Sequence, residues 1–169
     1  MVVGKFFEMN NEFYIPGQVA LITGGNVGIG RVTAIELAKK GFKVVIAGRS
    51  YERTQPVLDH IKSLSVDEQP LFLPLDLGSL ASVRECAQLF NQLNLPLHLL
   101  INNAGVAGLR GLTKDGFEMT FGINHLGHFL LTQLLLEKLQ ASGPSRIVTV
   151  SSRAHKRTAG IKWDALRQS

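Results

Sequence analysis

The chain has 169 residues, 45% of them hydrophobic and 18% charged, with a formal net charge of +5. That length suits a single domain, residues 1–169, with its own core, and the apolar content excludes a disordered tail. The Lys and Arg residues are scattered apart from Arg153, Lys156 and Arg157, and the lack of a basic stripe with interleaved aromatics argues against a nucleic-acid partner.

Met1 to Gln18 is expected to be an arm before the first element. Glu8 and its polar neighbours interrupt the apolar run that a secretion signal needs. Val19 to Thr23 reads as a strand, followed by a glycine-rich turn and a helix from Gly28 to Lys40 that Gly41 stops. Lys43 to Ala47 is a second strand and Tyr51 to Leu64 a second helix. Leu71 to Leu75 is the third strand, and Ser79 stands at the cap position of a helix reaching Leu93. Cys86, the single cysteine, falls on that helix as a small apolar residue. A lone cysteine allows no internal disulfide and fits a reducing compartment.

Leu97 to Asn102 is the fourth strand, and Asp115 to Gln140 reads as one long helix that Gly143-Pro144 ends. Its leucine-rich part is too short to span a bilayer and is broken by Gln133 and Glu137. Arg146 to Ser151 is the fifth strand, and Arg153 to Ser169 an irregular tail. The strands are apolar almost throughout, as expected of strands buried on both faces of a parallel sheet. Strands alternating with helices predict a doubly wound α/β sheet.

The first turn carries Gly24, Gly28 and Gly30. Glycines between an apolar strand and an amphipathic helix permit a tight turn and close backbone approach to a pyrophosphate. The helix N-terminus adds unpaired N–H groups and the positive end of its dipole. The second strand ends in Ala47-Gly48-Arg49-Ser50. An acidic residue there would hydrogen-bond the ribose hydroxyls of NAD, whereas Arg49 can pair with a 2′-phosphate, so NADP fits better than NAD. Arg31 is a second candidate for that charge.

Thr23-Gly24-Gly25-Asn26-Val27-Gly28-Ile29-Gly30, then Asn102-Asn103-Ala104-Gly105, Asn124 and Ser151-Ser152 occur in series. From about Pro16 to Arg157 the chain resembles the short-chain dehydrogenase/reductase family. Asn124-His125-Leu126-Gly127-His128-Phe129 and Val150 to His155 look most like its retinol dehydrogenase-type branch. The resemblance implies a Rossmann-type fold binding NAD(P) through Gly24, Asn26, Gly28, Ile29, Gly30 and Arg49, through Asp76 and Leu77 near the adenine, and through Asn103, Ala104 and Gly105. It implies that Ser152, with Ser151 as the adjacent alternative, holds the substrate oxygen, and that Asn124 helps position a water in the proton relay.

The resemblance also implies a Tyr-x-x-x-Lys pair. Tyr14 and Tyr51 are the only tyrosines, Gln18 and Gln55 stand four residues beyond them, and both precede the site. The fold is therefore expected to be incomplete at its C-terminus, without the family's catalytic and substrate segment. The expected function is hydride transfer between NADP(H) and a hydroxyl or carbonyl of a lipophilic small molecule, retinoid-like alcohols and aldehydes included. The alternative is a non-catalytic dinucleotide-binding form. This stretch alone is expected to be inactive and, with an open sheet edge, prone to aggregate. His125 and His128 have a spacing that could suit a metal, but no third ligand accompanies them, so no metal is expected. The protein is expected in the cytoplasm or at the periphery of an intracellular membrane, with homo-oligomers compatible with its leucine-rich helix.

Overall fold

Apolar runs this short become strands where both faces can be covered, and Val19–Thr23 (β1) is buried at every position. The computed structural model describes residues 17–64, 69–157, 160–161 and 163–167. Most of the expected N-terminal arm, and Tyr14 with it, lies outside them. The chain continues through Gly28–Lys39 (α1), Lys43–Gly48 (β2), Tyr51–Leu64 (α2), Leu71–Pro74 (β3), Leu80–Gln92 (α3) and Leu99–Asn102 (β4). Met119–Phe121 (α4), a π-helical turn over Gly122–Gly127, His128–Ala141 (α5) and Arg146–Thr149 (β5) follow.

The sheet is parallel with strand order β3-β2-β1-β4-β5. One apolar cluster fills the side covered by α1 and α2, with Ile22, Val44, Ile46, Val57, Leu58 and Ile61. The other lies under α3 and α5 and holds Leu21, Val45, Phe90, Leu100, Leu131 and Leu135. Helices on both faces make the sheet doubly wound, as expected. Each fully buried Leu, Ile or Phe contributes roughly 1.5–3 kcal/mol to that packing.

Helix α1 buries its small residues: Gly30, Ala34 and Ala38 face the sheet, while Val32 is 60% exposed. Spaced by four, they form one face and let the helix lie close to β1 and β2. Gly41 (φ +83°) and Gly143 (φ +85°) end α1 and α5, and the Ser79 hydroxyl caps α3 by accepting from the Ser82 N–H. At the opposite end of the sheet, His98 Nδ1 accepts the Val19 N–H at 3.0 Å.

Three expectations need correction. The long helix starts at Met119 rather than Asp115. Gly116 takes a positive φ, Thr113 and Phe117 close a turn, and the Glu118 carboxylate caps the helix through the N–H groups of Thr120 and Phe121. The helix is also not continuous, because the π turn widens it ahead of His128. At β5 the expected open edge is present: it pairs with β4 alone among the described residues and is exposed along its length, with Ile147 and Val148 each 44% accessible. The tail is less irregular than expected: 3-10 turns form at Arg153–Arg157 and Trp163–Ala165. The Glu118 N–H donates to the Leu166 carbonyl, tying the tail to the start of α4.

Candidate functional site

In an open parallel sheet, the strand order reverses at a switch point, and the crevice there lies beyond the C-terminal ends of the strands. Here the chain winds outward from β1 to β3 and returns to β4 on the other side, so the switch falls between β1 and β4. A cleft of about 380 Å³ opens there, within the range of small-molecule sites. Gly24, Asn26, Ile29, Gly30, Arg49, Asp76, Leu77, Asn103, Ala104 and Gly105 all line it. Gly28 is off the wall. Its φ of +55° is its contribution, since only glycine adopts that turn without strain.

The turn after β1 is held by one hydroxyl. Thr23 Oγ1 accepts the N–H groups of Asn103 and Ala104, each at 3.0 Å. The Asn103 amide donates back to the carbonyls of Thr23 and Gly24. This knot brings the Gly24 and Asn103 turns so close that a Cβ on Gly30 would strike the Gly24 carbonyl oxygen and Asn103 Nδ2. A Cβ on Gly24 would stand 2.9 Å from that of Ala104.

Helix α1 begins from Val27 with no side-chain cap and no acidic residue in its first turn. Its first N–H groups are thus left for a ligand. At the rim, Arg49 is joined by Arg53 from the first turn of α2. Arg31 does not line the cleft. Neither Arg49 nor Arg53 pairs with a carboxylate among the described residues. Asp76 is anchored instead, accepting the Gly78 N–H at 3.0 Å and lying 3.2 Å from Lys114.

A second, more open cleft of about 790 Å³ shares Asn103, Ala104, Gly105, Val106 and Val150 with the first. It brings Asn124 together with Ser151 and Ser152, and adds His125, His128, Phe121 and His155. The Asn124 amide closes a ring with Val106, accepting its N–H at 2.9 Å and donating to its carbonyl at 2.8 Å. Ser152 Oγ accepts the Ala154 N–H at 3.2 Å, which leaves its O–H to donate. Burial alone would raise the Glu118 carboxyl, also on this wall, but the Thr120 and Phe121 bonds outweigh it and hold it below the usual carboxylate range. Tyr51 is on neither wall and packs edge-on against Phe72.

The two clustered histidines go different ways. His125 is exposed between Phe121 and Phe129. His128 is 4% accessible, with Nε2 2.9 Å from Thr23 Oγ1 and Nδ1 3.1 Å from the Asn124 carbonyl. Among the described residues no cluster of three His, Cys, Asp or Glu could hold a metal, and no helix is long and apolar enough to cross a membrane.

Sequence reasoning missed Arg53, Thr54, Val106, Ile123 and Val150 on the first wall. Arg53 carried a usable signal: it stands four residues beyond Arg49, in the first turn of the next helix, so a second cation returns to the same rim. The others are apolar or small and had none.

Burial holds His128 and His98 below the ordinary histidine pKa, opposed at His128 by its bond to Asn124. The unfolded chain therefore takes up these protons first, near about pH 6.5. Stability is full above that value and falls as pH drops from it toward the lowered folded pKa values. Thermal melts should give a lower Tm at about pH 5.5 than at about pH 7.5, with a shallower drop in His98→Gln. A flat profile would contradict this.

A family model described as short chain dehydrogenase matches residues 18–162. The chain is 54% identical over 145 residues to a mouse (Mus musculus) polyprenol dehydrogenase, covering 83% of this chain and 43% of that protein. It is 51% identical over 142 residues to human (Homo sapiens) retinol dehydrogenase 11, covering 83% of this chain and 45% of that one. The chain thus spans about half the length of the curated relatives it matches. Among solved structures, a Pseudomonas aeruginosa RhlG/NADP active-site complex superposes with a TM-score of 0.74 at 30% identity, over 89% of this chain and 59% of that one. Levodione reductase gives a TM-score of 0.74 at 27% identity, over 86% and 58%.

Proposed function

Because the chain belongs to the short-chain dehydrogenase/reductase family, in its retinol dehydrogenase-like branch, we propose that its first cleft binds NADP(H) and its second a lipophilic alcohol or aldehyde. The observation that carries the cofactor reading is the uncapped start of α1 on a cleft whose rim holds Arg49 and Arg53. Two guanidinium groups with no carboxylate partner among the described residues suit a 2′-phosphate and would be poorly matched to the bare ribose of NAD.

The glycine cradle fits a dinucleotide, since a Cβ on Gly30 would fill the close approach of the turns. Gly24, Asn26, Ile29 and Gly30 would hold the pyrophosphate on a turn that Gly28 shapes through its positive φ, Asp76 and Leu77 would face the adenine end, and Asn103, Ala104 and Gly105 form the wall between the clefts. When bound, NADP(H) supplies the hydride donor or acceptor. Ser152 donates its O–H to the substrate oxygen, and Asn124 secures the Val106 segment beside it. Phe121, Ile161 and Leu166 give the second cleft an apolar lining, and the names of the polyprenol and retinol relatives point to the same substrate class.

Equilibrium titration with NADPH and NADH tests this reading. Losing a charge-assisted bond costs about 1.5–3 kcal/mol, so Arg49→Asp should weaken NADPH binding roughly ten- to a hundredfold and leave NADH little changed. Equal affinities for the two in the unmodified protein would sink the assignment. Turnover on an aldehyde panel with NADPH tests the reaction. Binding without turnover is the result expected of the non-catalytic reading.

A further inference from the structure

A threonine hydroxyl has two lone pairs and one proton. At Thr23 both lone pairs are taken, by the N–H groups of Asn103 and Ala104. The proton must point elsewhere, and His128 Nε2 at 2.9 Å is nearer than the Ile101 carbonyl at 3.5 Å. Nε2 is therefore an acceptor and carries no proton. The other end of the ring gives the same answer independently. Nδ1 faces the Asn124 carbonyl at 3.1 Å, a group that only accepts, so Nδ1 carries the proton. The opposite tautomer would set two acceptors against each other at Asn124 and ask Thr23 to accept a third bond. The charged ring would satisfy Asn124 but lose the Thr23 bond. One neutral form fits both ends.

We propose that His128 is a positioning residue, fixed as its Nδ1–H tautomer, that couples the two clefts by tying the Thr23 knot to the π turn carrying Asn124. The Thr23 end sets the Gly24 and Asn103 turns, hence the first cleft. The Asn124 end sets the carbonyl of the widened turn and, through the ring with Val106, the loop between the clefts. In a π turn the backbone bonds shift from i+4 to i+5, and the His128 side chain contacts the Asn124 carbonyl from the i+4 position. The imidazole thus holds the widened turn with one nitrogen and completes the Thr23 turn with the other. The effect on cofactor affinity rests on the NADP(H) reading of the first cleft; the tautomer and the Thr23 coupling do not.

Three measurements test it. In protein with 15N-labelled histidine at about pH 7.5, two-bond 15N–1H spectra, assigned by the loss of signal in His128→Asn, should show the proton on Nδ1 of His128. A proton on Nε2 overturns the proposal, and this reading needs no cofactor. Next, Thr23→Val, His128→Phe and the double variant should melt non-additively, the double losing less than the sum of the two singles because their shared bond is lost only once. Additive losses overturn the coupling. Last, amide groups can replace the ring nitrogens one at a time: Gln reaches the Nε2 place and Asn the Nδ1 place. His128→Phe should weaken NADPH binding about tenfold, with His128→Gln recovering most of it and His128→Asn little. Equal affinities for Gln and Phe variants would reduce His128 to a packing residue and overturn its positioning role. If unmodified protein binds no NADPH, the cofactor reading fails, while the first two measurements still decide the tautomer and the coupling.

Discussion

Gly30→Ala is expected to abolish measurable NADPH binding and to destabilise the protein by about 3 kcal/mol. The added methyl would meet the Gly24 carbonyl oxygen and Asn103 Nδ2. Neither can step aside cheaply. The first is backbone in a turn whose N–H is bonded to Ala47, and the second is bonded to the Thr23 and Gly24 carbonyls. Relief requires α1 to move off the sheet, and its N-terminus then leaves the cleft. At about 1.4 kcal/mol per tenfold, a penalty of that size weakens binding by at least a hundredfold. Calorimetric titration and a denaturant melt measure the two parts. Gly28→Ala separates close approach from dihedral strain, because open space surrounds Gly28 while its φ is positive. It should lose less stability, about 1 kcal/mol. Binding by Gly30→Ala within threefold of the unmodified protein would contradict the turn crossing.

Thr23→Val should cost about 2–4 kcal/mol and weaken NADPH binding with it. Valine keeps the shape but removes the acceptor for two backbone N–H groups and the donor to His128. Each unsatisfied buried group costs about 1–3 kcal/mol. Asn103 and Ala104 are only half-buried, so water recovers part of the loss, whereas Thr23 and His128 are closed off. Thr23→Ser keeps the hydroxyl and should retain cofactor affinity within a few-fold. A denaturant melt of the valine variant that matches the unmodified protein would show that the knot carries no weight.

Much of this was legible in the residues. The β1 and α2 ranges agree with the structure end to end, because apolar runs and helical spacing are local properties. The glycine spacing pointed to the first cleft for the same reason: backbone freedom is written in residue type. What escaped depends on partners remote in sequence. The π turn arises where Gly122 packs on Thr113 and Gly127 on the Leu77 carbonyl, contacts that no spacing rule within the helix reveals. His128 was expected to be structural rather than a metal ligand, but its partner was not legible, because Thr23 is 105 residues away. The buried face of α1 was obscured by residue size, since Gly30, Ala34 and Ala38 carry almost no hydrophobic signal and yet set how near the helix lies to the sheet.

The two arginines at the rim share no hydrogen bond with the Thr23 knot. The knot is built from β1, β4 and α5, and the arginines stand on the far side of β1, after β2. On the proposed NADP(H) reading, scaffold and selector are therefore separate modules. Exchanging the charge at Arg49 and Arg53 should then change which nucleotide is preferred while leaving the bonds of the knot intact, so that cofactor preference could drift, or be engineered, on an unchanging frame.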